Sequence, residues 1–261
     1  MESRRTAFAL TLAAVLAGAV TAAPGAQAAP AGTHAAAVRV AAAVTAAATA
    51  VSGTVVARYA LDGGRSSGIS DDSGNGHTLR LIAGNGGTVR AVPHRSGQAL
   101  RFPAKCTGTC PHAALQSPSS ASLNPGTRAI SYGASVLLAP SQTSEGQNIV
   151  QKGYSTTSSQ WKLQIDGEAG RPSCVLVGAQ PGIKIVRSSL SVADGSWHTV
   201  ECRRAGTTLV VLVDGVVRGT RTVSAKLSVA NNRPLSIGGK GAYADNDQFH
   251  GIIDDVWVRI G

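Results

Sequence analysis

Leu209-Val210-Val211-Leu212-Val213-Asp214-Gly215-Val216-Val217 is the stretch from which the fold can be read. Its first five residues are apolar at every position, which marks a central strand apolar on both faces. Asp214-Gly215 is a strong two-residue hairpin signal, because both central residues of the favoured turn need positive φ. Val216-Val217 then returns antiparallel to the strand it has just left.

The same grammar recurs on both sides. Period-2 alternation or β-branched runs, bounded by Gly, Asn, Asp and Pro, occur at 54–61, 77–82, 98–102, 130–139, 147–152, 160–165, 174–177, 197–203, 208–213, 234–237 and 251–260. No amphipathic helical window of useful length interrupts them. Many short strands with Gly-rich turns predict an all-β sandwich or barrel.

Ahead of this region the chain has a different character. Arg4 and Arg5 precede an apolar run from Ala7 to Ala23, and small residues follow, ending in Ala26-Gln27-Ala28. That pattern predicts a secretory signal peptide over residues 1–28, by the general secretory or the twin-arginine route. A spanning helix needs about 20 apolar residues with anchoring flanks, a poorer fit here. Residues 29–52 are Ala-rich, with Pro30, Gly32, Thr45 and Thr49 breaking any helical period, and are expected to be a tether. Residues 53–261 fit a single domain, and the product is expected to be free and secreted.

Without the leader the balance is 22 basic against 13 acidic side chains, a net of +9. Such a charge favours polyanions. The basic residues are scattered, however, with Arg203-Arg204 the only adjacent pair in the domain, and aromatics make up 4% of the chain. A nucleic-acid protein would gather its cations in a stripe with stacking aromatics, so no nucleic-acid partner is expected. No membrane partner is expected either, and the expected unit is a monomer.

Four cysteines in an exported chain should pair. Cys106 and Cys110 flank a Thr-Gly-Thr turn and are most simply bonded to each other, which leaves Cys174 with Cys202. A zinc site from Cys106, Cys110 and His112 lacks a second half-site and is disfavoured in an oxidising compartment.

Further motifs carry a resemblance. Tyr59-Ala60-Leu61-Asp62, Asp71-Asp72-Ser73-Gly74-Asn75-Gly76-His77 and Gly97-Gln98-Ala99-Leu100-Arg101-Phe102 come first in the chain. Asp194-Gly195-Ser196-Trp197-His198-Thr199-Val200 follows, then the hairpin already quoted, Gly238-Gly239 and Gly251-Ile252-Ile253-Asp254-Asp255-Val256. In that order they resemble a laminin-G-like (concanavalin A-like) domain over essentially all of 53–261. The resemblance implies a two-sheet antiparallel jelly-roll sandwich. The fold hosts lectins, glycanases and adhesion modules alike, so it leaves function open.

Two sets of residues are candidates for chemistry. By alternation Asp254 shares a face with Val256, Val258 and Ile260, so its carboxylate is expected to point inward and to need a cation or several donors. The turn from Asp71 to Asn75 resembles the loop that meets this strand in the family. A structural Ca²⁺ held by some of Asp62, Asp71, Asn75 and Asp254 together with backbone carbonyls is therefore one expectation, and simple Asx turns are the other. On 160–166, Trp161, Leu163 and Ile165 form a core face, while Gln160, Lys162, Gln164 and Asp166 form a polar one. That polar face is expected either to be an ordinary solvated one or to be a hydrogen-bonding wall for sugar hydroxyls. In the second case Asn148, Gln151 and Lys152 would join it from the preceding strand, with Asn246, Asp247, Gln248 and His250 at its rim. Tyr132, Tyr154, Tyr243 and Trp257 are the spare aromatics for stacking on a sugar.

An enzyme of this fold would need two converging carboxylates. Asp166-Gly167-Glu168 is the nearest approach and runs into a turn, while Asp254 and Asp255 are adjacent and point to opposite sides. His-Glu-x-x-His is absent from the sequence, and His198 belongs to a motif that is structural in the family. The expected function is non-catalytic binding of carbohydrate, a cell-envelope polysaccharide or an acidic glycan. A glycoside hydrolase or lyase with a degenerate motif and a protein-adhesion module are the rivals.

Overall fold

The computed structural model describes residues 50–62, 68–178 and 182–261. The expected leader and nearly all of the Ala-rich tether lie outside them. Fifteen strands form among the described residues. In chain order they begin with β1 (Thr54–Tyr59), β2 (Arg80–Gly84), β3 (Arg90–His94), β4 (Gly97–Arg101), β5 (His112–Ser117), β6 (Ile130–Leu137) and β7 (Gly146–Tyr154). They continue with β8 (Ser159–Asp166), β9 (Arg171–Val177), β10 (Lys184–Arg187), β11 (Trp197–Ala205), β12 (Thr208–Val213), β13 (Val216–Thr222), β14 (Leu235–Ile237) and β15 (Ile252–Ile260).

All pair antiparallel in two sheets. The first runs β13-β12-β11-β6-β15-β4-β3, with β1 beside β15, and the second runs β10-β9-β8-β7-β14-β5-β2. The all-β, two-sheet antiparallel sandwich expected from the sequence is the fold found. Leu209–Val213 forms an interior strand, paired with β11 on one side and β13 on the other. Asp214 and Gly215 both take positive φ, 52° and 76°, as the hairpin requires. Unanticipated strands are β3, β5 and β10. β3 carries Pro93, which is tolerated because β3 is the last strand of its sheet and needs no donor on that side.

The inner faces of both sheets meet in one apolar core. Trp161, Leu163 and Ile165 from β8 lie in it with Tyr132, Val136, Val200, Val211 and Val258 from the other sheet. Tyr132 and Trp161 pack at 4.8 Å between ring centroids, and the Trp161 indole N–H donates to the Leu123 carbonyl. Both expected disulfides are formed. Cys174 on β9 and Cys202 on β11 belong to different sheets, and both are fully buried, so this bond ties the two layers together through the core. Because Cys106 and Cys110 are bonded to each other, neither is a thiolate that could join His112 on zinc.

Two bulges decide where polar side chains point. Strict alternation would place Asn148 and Lys152 on one face of β7. The register shift between Asn148 and Val150 instead puts Asn148 opposite Gln164, Gln151 opposite Lys162, and Lys152 opposite core Trp161. Lys152 therefore points inward, against expectation, and is completely buried. Its ammonium donates to the Asn231 and Arg233 carbonyls, to Asn231 Oδ1 and to Ser119 Oγ at 2.7–3.2 Å. Burial pulls that ammonium down to about 8. Arg204 behaves similarly: its guanidinium donates to the carbonyls of Thr127, Arg128, Ser224 and Ala225. Both cations hold loops of the sandwich, so neither serves a partner.

The second bulge lies in β15, between Asp254 and Trp257, with Asp255 at φ 45°. It reverses the parity of the strand. Ile253, Val256 and Val258 face the core, whereas Asp254 pairs with Ser135 on the opposite side. The inward direction expected for Asp254 is thus corrected.

Candidate functional site

The calcium ligands expected from the sequence are held by protein donors at different places. Asp254 is buried on the outer side of its sheet, where its carboxylate accepts from His94 Nδ1 at 2.5 Å and from the Asp255 N–H at 2.7 Å. The His94 ring stacks on Trp197, 3.8 Å between centroids and 16° apart in plane. Burial raises the Asp254 carboxyl, and the His94 bond opposes that rise. Asp62 accepts the Gln98 N–H. Asn75 donates to the Val56 carbonyl and to Ser73 Oγ. Asp71 accepts the N–H groups of Arg58, Ser73 and His77. Among the described residues no group of three or more His, Cys, Asp or Glu side chains is placed to hold a metal ion. Asp62, Asp71 and Asp254 therefore do not form one cluster.

Asp71 acts instead as a turn anchor on β1. Burial alone would raise its carboxyl; the Ser73, Arg58 and His77 donors outweigh it and hold the group below the usual carboxylate range. A carboxyl depressed in the folded state contributes stability that is present above its unfolded value of 3.8 and is lost as the pH falls through the folded one. Chemical denaturation between pH 7 and pH 2 should show this loss on the acid side, and Asp71→Asn should flatten it. An acid limb unchanged by Asp71→Asn would show that the turn does not depend on the charge.

The polar face of β8 is built as expected and carries a cleft. Lys162 stands in a row with Val175, Gln151, Ser236, Gln116 and Arg80 across the outer side of the second sheet. Residues 238–249 fold over this face. Their anchors are the Gly238 N–H on the Ile149 carbonyl, the Asn148 N–H on the Asp247 carbonyl and the Lys240 N–H on the Asn246 carbonyl, at 2.7–2.9 Å. Asp247 is thereby brought onto Lys162 at 2.6 Å and onto Lys240 at 3.0 Å. Burial lowers the Lys162 ammonium and Asp247 partly restores it.

Beside this charge triplet, Tyr154 and Tyr243 complete a cleft of ≈ 260 Å³ that is also lined by Ser155, Thr156, Gln160 and Asp245. Tyr243 is 48% exposed, a high value for an aromatic ring. Its hydroxyl is pushed up to about 12, first by burial and then by Tyr154. The Arg233 guanidinium lies 5.6 Å from the centre of the Tyr154 ring.

Of the residues expected to bind ligand, Gln160 and Lys162 line this cleft, together with Asp247, Tyr154 and Tyr243. Gln164 shares the face but donates to Ser173 Oγ. Asn148, Asn246 and Gln248 are buried and hold the 238–249 segment: Asn148 donates to the Gly239 carbonyl, Asn246 to Gly241, and Gln248 to Gly238 and Phe249. Lys152 lies on the other side of the sheet. Of the four spare aromatics, Tyr132 is core, and Trp257 lies over Gly133 on the first sheet, where any side chain at 133 would strike its ring. The sequence reading missed Lys240 and Asp245. The signal for them was the small-residue segment Gly238-Gly239-Lys240-Gly241-Ala242, a chain able to lie close on a sheet.

The other catalytic candidates make separate ion pairs. Asp166 pairs with Arg187, and Glu168 lies 3.8 Å from Lys105. His198 bridges Asp194 and Asp214 at 3.2 and 2.7 Å, and thereby joins two turns.

Comparison with known proteins agrees with this architecture. The family model described as concanavalin A-like lectin/glucanases superfamily matches residues 108–259. No curated protein sequence matches the chain. Among solved structures it is similar to domain 4 of AbnA, a GH43 extracellular arabinanase from Geobacillus stearothermophilus, in complex with arabinotriose. There the TM-score is 0.60 at 16% identity, over 80% of this chain and 93% of that one. It is similar to the binding domain of Paraclostridial Mosquitocidal Protein 1, with a TM-score of 0.56 at 14% identity, over 79% and 48%. It is similar also to the binding domain of botulinum neurotoxin DC in complex with SialylT, with a TM-score of 0.56 at 10% identity, over 79% and 48%. The chain thus spans about half the length of these two toxin domains, and at such identities the likeness is one of fold. With the family match covering more than half of the residues, and the sheets arranged as described, the chain belongs to the concanavalin A-like lectin/glucanase superfamily.

Proposed function

We propose that this protein is a secreted, non-catalytic carbohydrate-binding module whose ligand occupies the cleft between Tyr154, Tyr243, Gln160 and the Lys162–Asp247–Lys240 triplet. The observation that carries the reading is the exposed Tyr243 ring next to a carboxylate already held between two ammonium groups. An aromatic face covers the apolar side of a sugar ring, and fixed donors and acceptors engage its hydroxyls. Export is supported by the leader pattern and by two disulfides. Absence of catalysis is supported by the polar side of β8, which carries Gln160, Lys162, Gln164 and one carboxylate, Asp166, paired with Arg187, whereas glycoside hydrolysis needs two carboxylates flanking the bond. Structures of similar domains in complex with arabinotriose and with SialylT make arabinan-type and sialylated glycans the first probes.

The test is affinity electrophoresis of the exported protein through gels containing arabinan, other neutral polysaccharides or a sialylated glycoprotein. Retardation by at least one of them is expected. Tyr243→Ala should weaken it about tenfold or more, the loss of roughly 1.4 kcal/mol or more that removal of a stacking ring brings. Retardation untouched by Tyr243→Ala would move the site elsewhere. Reducing-sugar release that disappears with Asp166→Asn or Glu168→Gln would replace binding by hydrolysis.

A further inference from the structure

A second cleft, away from the tyrosines, has a different chemistry. Its volume is ≈ 590 Å³, and among its lining residues are Thr88, Arg90, Arg101, Phe102, Gln142 and His250. Arg90 and Arg101 stand directly opposite each other in the β3–β4 pair. Like charges in that relation repel, and a sheet ordinarily avoids them or supplies a counter-charge. Two other exposed arginines have one: Arg95 pairs with Asp255 and Arg187 with Asp166. Among the described residues no carboxylate lines this cleft.

The walls add to the same field. His250 Nδ1 donates to the Pro103 carbonyl at 3.0 Å, which leaves Nε2 for a ligand hydroxyl. Burial first, then the nearby Lys105 and His112, hold this imidazole below its ordinary value. Phe102 and Pro103 form a rigid apolar floor, buried at the end of β4. Two guanidinium forks above such a floor are suited to an oxyanion carried on an apolar or ring-shaped body, because each fork can grip a planar or tetrahedral anion by two parallel N–H bonds.

The geometry points to the Arg90–Arg101 cleft as an anion subsite that takes the acidic group of a polysaccharide, a uronate carboxylate or a backbone phosphodiester, independently of the tyrosine cleft. The subsite gives the net positive charge of the domain a specific use. Of the cations it counts, Lys152 and Arg204 are buried as loop clamps and Lys162 and Lys240 are committed to Asp247.

Affinity electrophoresis through polygalacturonate, through poly(glycerol phosphate) and through neutral arabinan at about 50 mM salt, where surface charges are still weakly screened, tests this. The exported protein should be retarded by one or both acidic polymers, and which one identifies the oxyanion. Arg90→Gln/Arg101→Gln should weaken that retardation by about tenfold or more, each fork lost being a charge-assisted contact. Mobility in arabinan should not change, and Tyr243→Ala reports separately on the other cleft. Arg171→Gln/Lys226→Gln removes the same charge from exposed positions elsewhere and should change acidic retardation less than about twofold. Equal losses in the two double variants would make the attraction a property of net charge and overturn the subsite. So would retardation that survives Arg90→Gln/Arg101→Gln, or the absence of any retardation by either acidic polymer.

Discussion

Converting Cys174 and Cys202 together to alanine is expected to lower the unfolding free energy by about 3 to 4 kcal/mol, the chain-entropy value for a loop of this length. The two residues are 28 apart in sequence and lie on β9 and β11, one in each sheet. Their bond therefore restrains the unfolded chain over a long loop and, in the native state, crosses the core between the layers. Cys106 and Cys110 are only four residues apart and exposed or half-buried at the surface, so Cys106→Ala/Cys110→Ala should cost about 2 kcal/mol or less by the same reasoning. Urea denaturation of the three proteins measures both values. The Cys174/Cys202 variant should also show a steeper denaturant dependence, because an unbridged unfolded chain exposes more surface. Equal costs for the two pairs would mean that loop length does not govern their effect.

Gly238→Ala is expected to cost about 3 kcal/mol, which combines backbone strain with overpacking of a filled core. Gly238 has φ 76°, where an L side chain is strained, and a β-carbon there would run into the Phe102 ring. That ring cannot retreat, since it is buried and packs edge-on against Phe249 at 6.4 Å. Gly86 is a useful control. It has a similar φ of 69° but nothing within 4 Å of a β-carbon, so Gly86→Ala should cost only about 1 kcal/mol, the backbone share. Gly238 also opens the segment that carries Lys240, Tyr243 and Asp247. Its variant should therefore lose retardation by arabinan at temperatures where it is still folded, whereas Gly86→Ala, at a residue lining the other cleft, should not. Thermal melts beside affinity gels separate the two effects, and equal costs at 238 and 86 would rule out the Phe102 clash.

These expectations rest on features that differ in how far sequence reveals them. The hairpin at Asp214-Gly215, the core face of Trp161, Leu163 and Ile165, and both disulfides were legible because each follows from a local rule: positive φ, period two, and pairing of cysteines. Lys152 and Asp254 were misplaced for one shared reason. Each lies in a strand with a β-bulge, where one extra residue reverses the face of the side chains beyond it: Lys152 follows the bulge in β7, and Val256, Val258 and Ile260, against which Asp254 was read, follow the one in β15. Asp255 at φ 45° has no glycine to announce its bulge. The tyrosine cleft was half legible. Gln160 and Lys162 follow from alternation on one strand, but Lys240 and Asp245 enter through a loop whose course over the sheet is fixed by long-range bonds, such as Asn148 to Gly239 and Ala113 to Gln248. The N–H donors that Asp62, Asp71 and Asp254 each accept from were not legible, because they come from residues distant in the sequence.

Amide and side-chain chemical-shift mapping, with the tightest-binding oligosaccharide from the panel titrated into the exported protein, locates the ligand directly. Saturable shifts should gather at Tyr154, Gln160, Lys162, Lys240 and Tyr243 on the outer side of the second sheet. Shifts gathered instead around Trp257 and Arg259, on the outer side of the first sheet, would put the sugar on the wrong layer for everything proposed about this cleft.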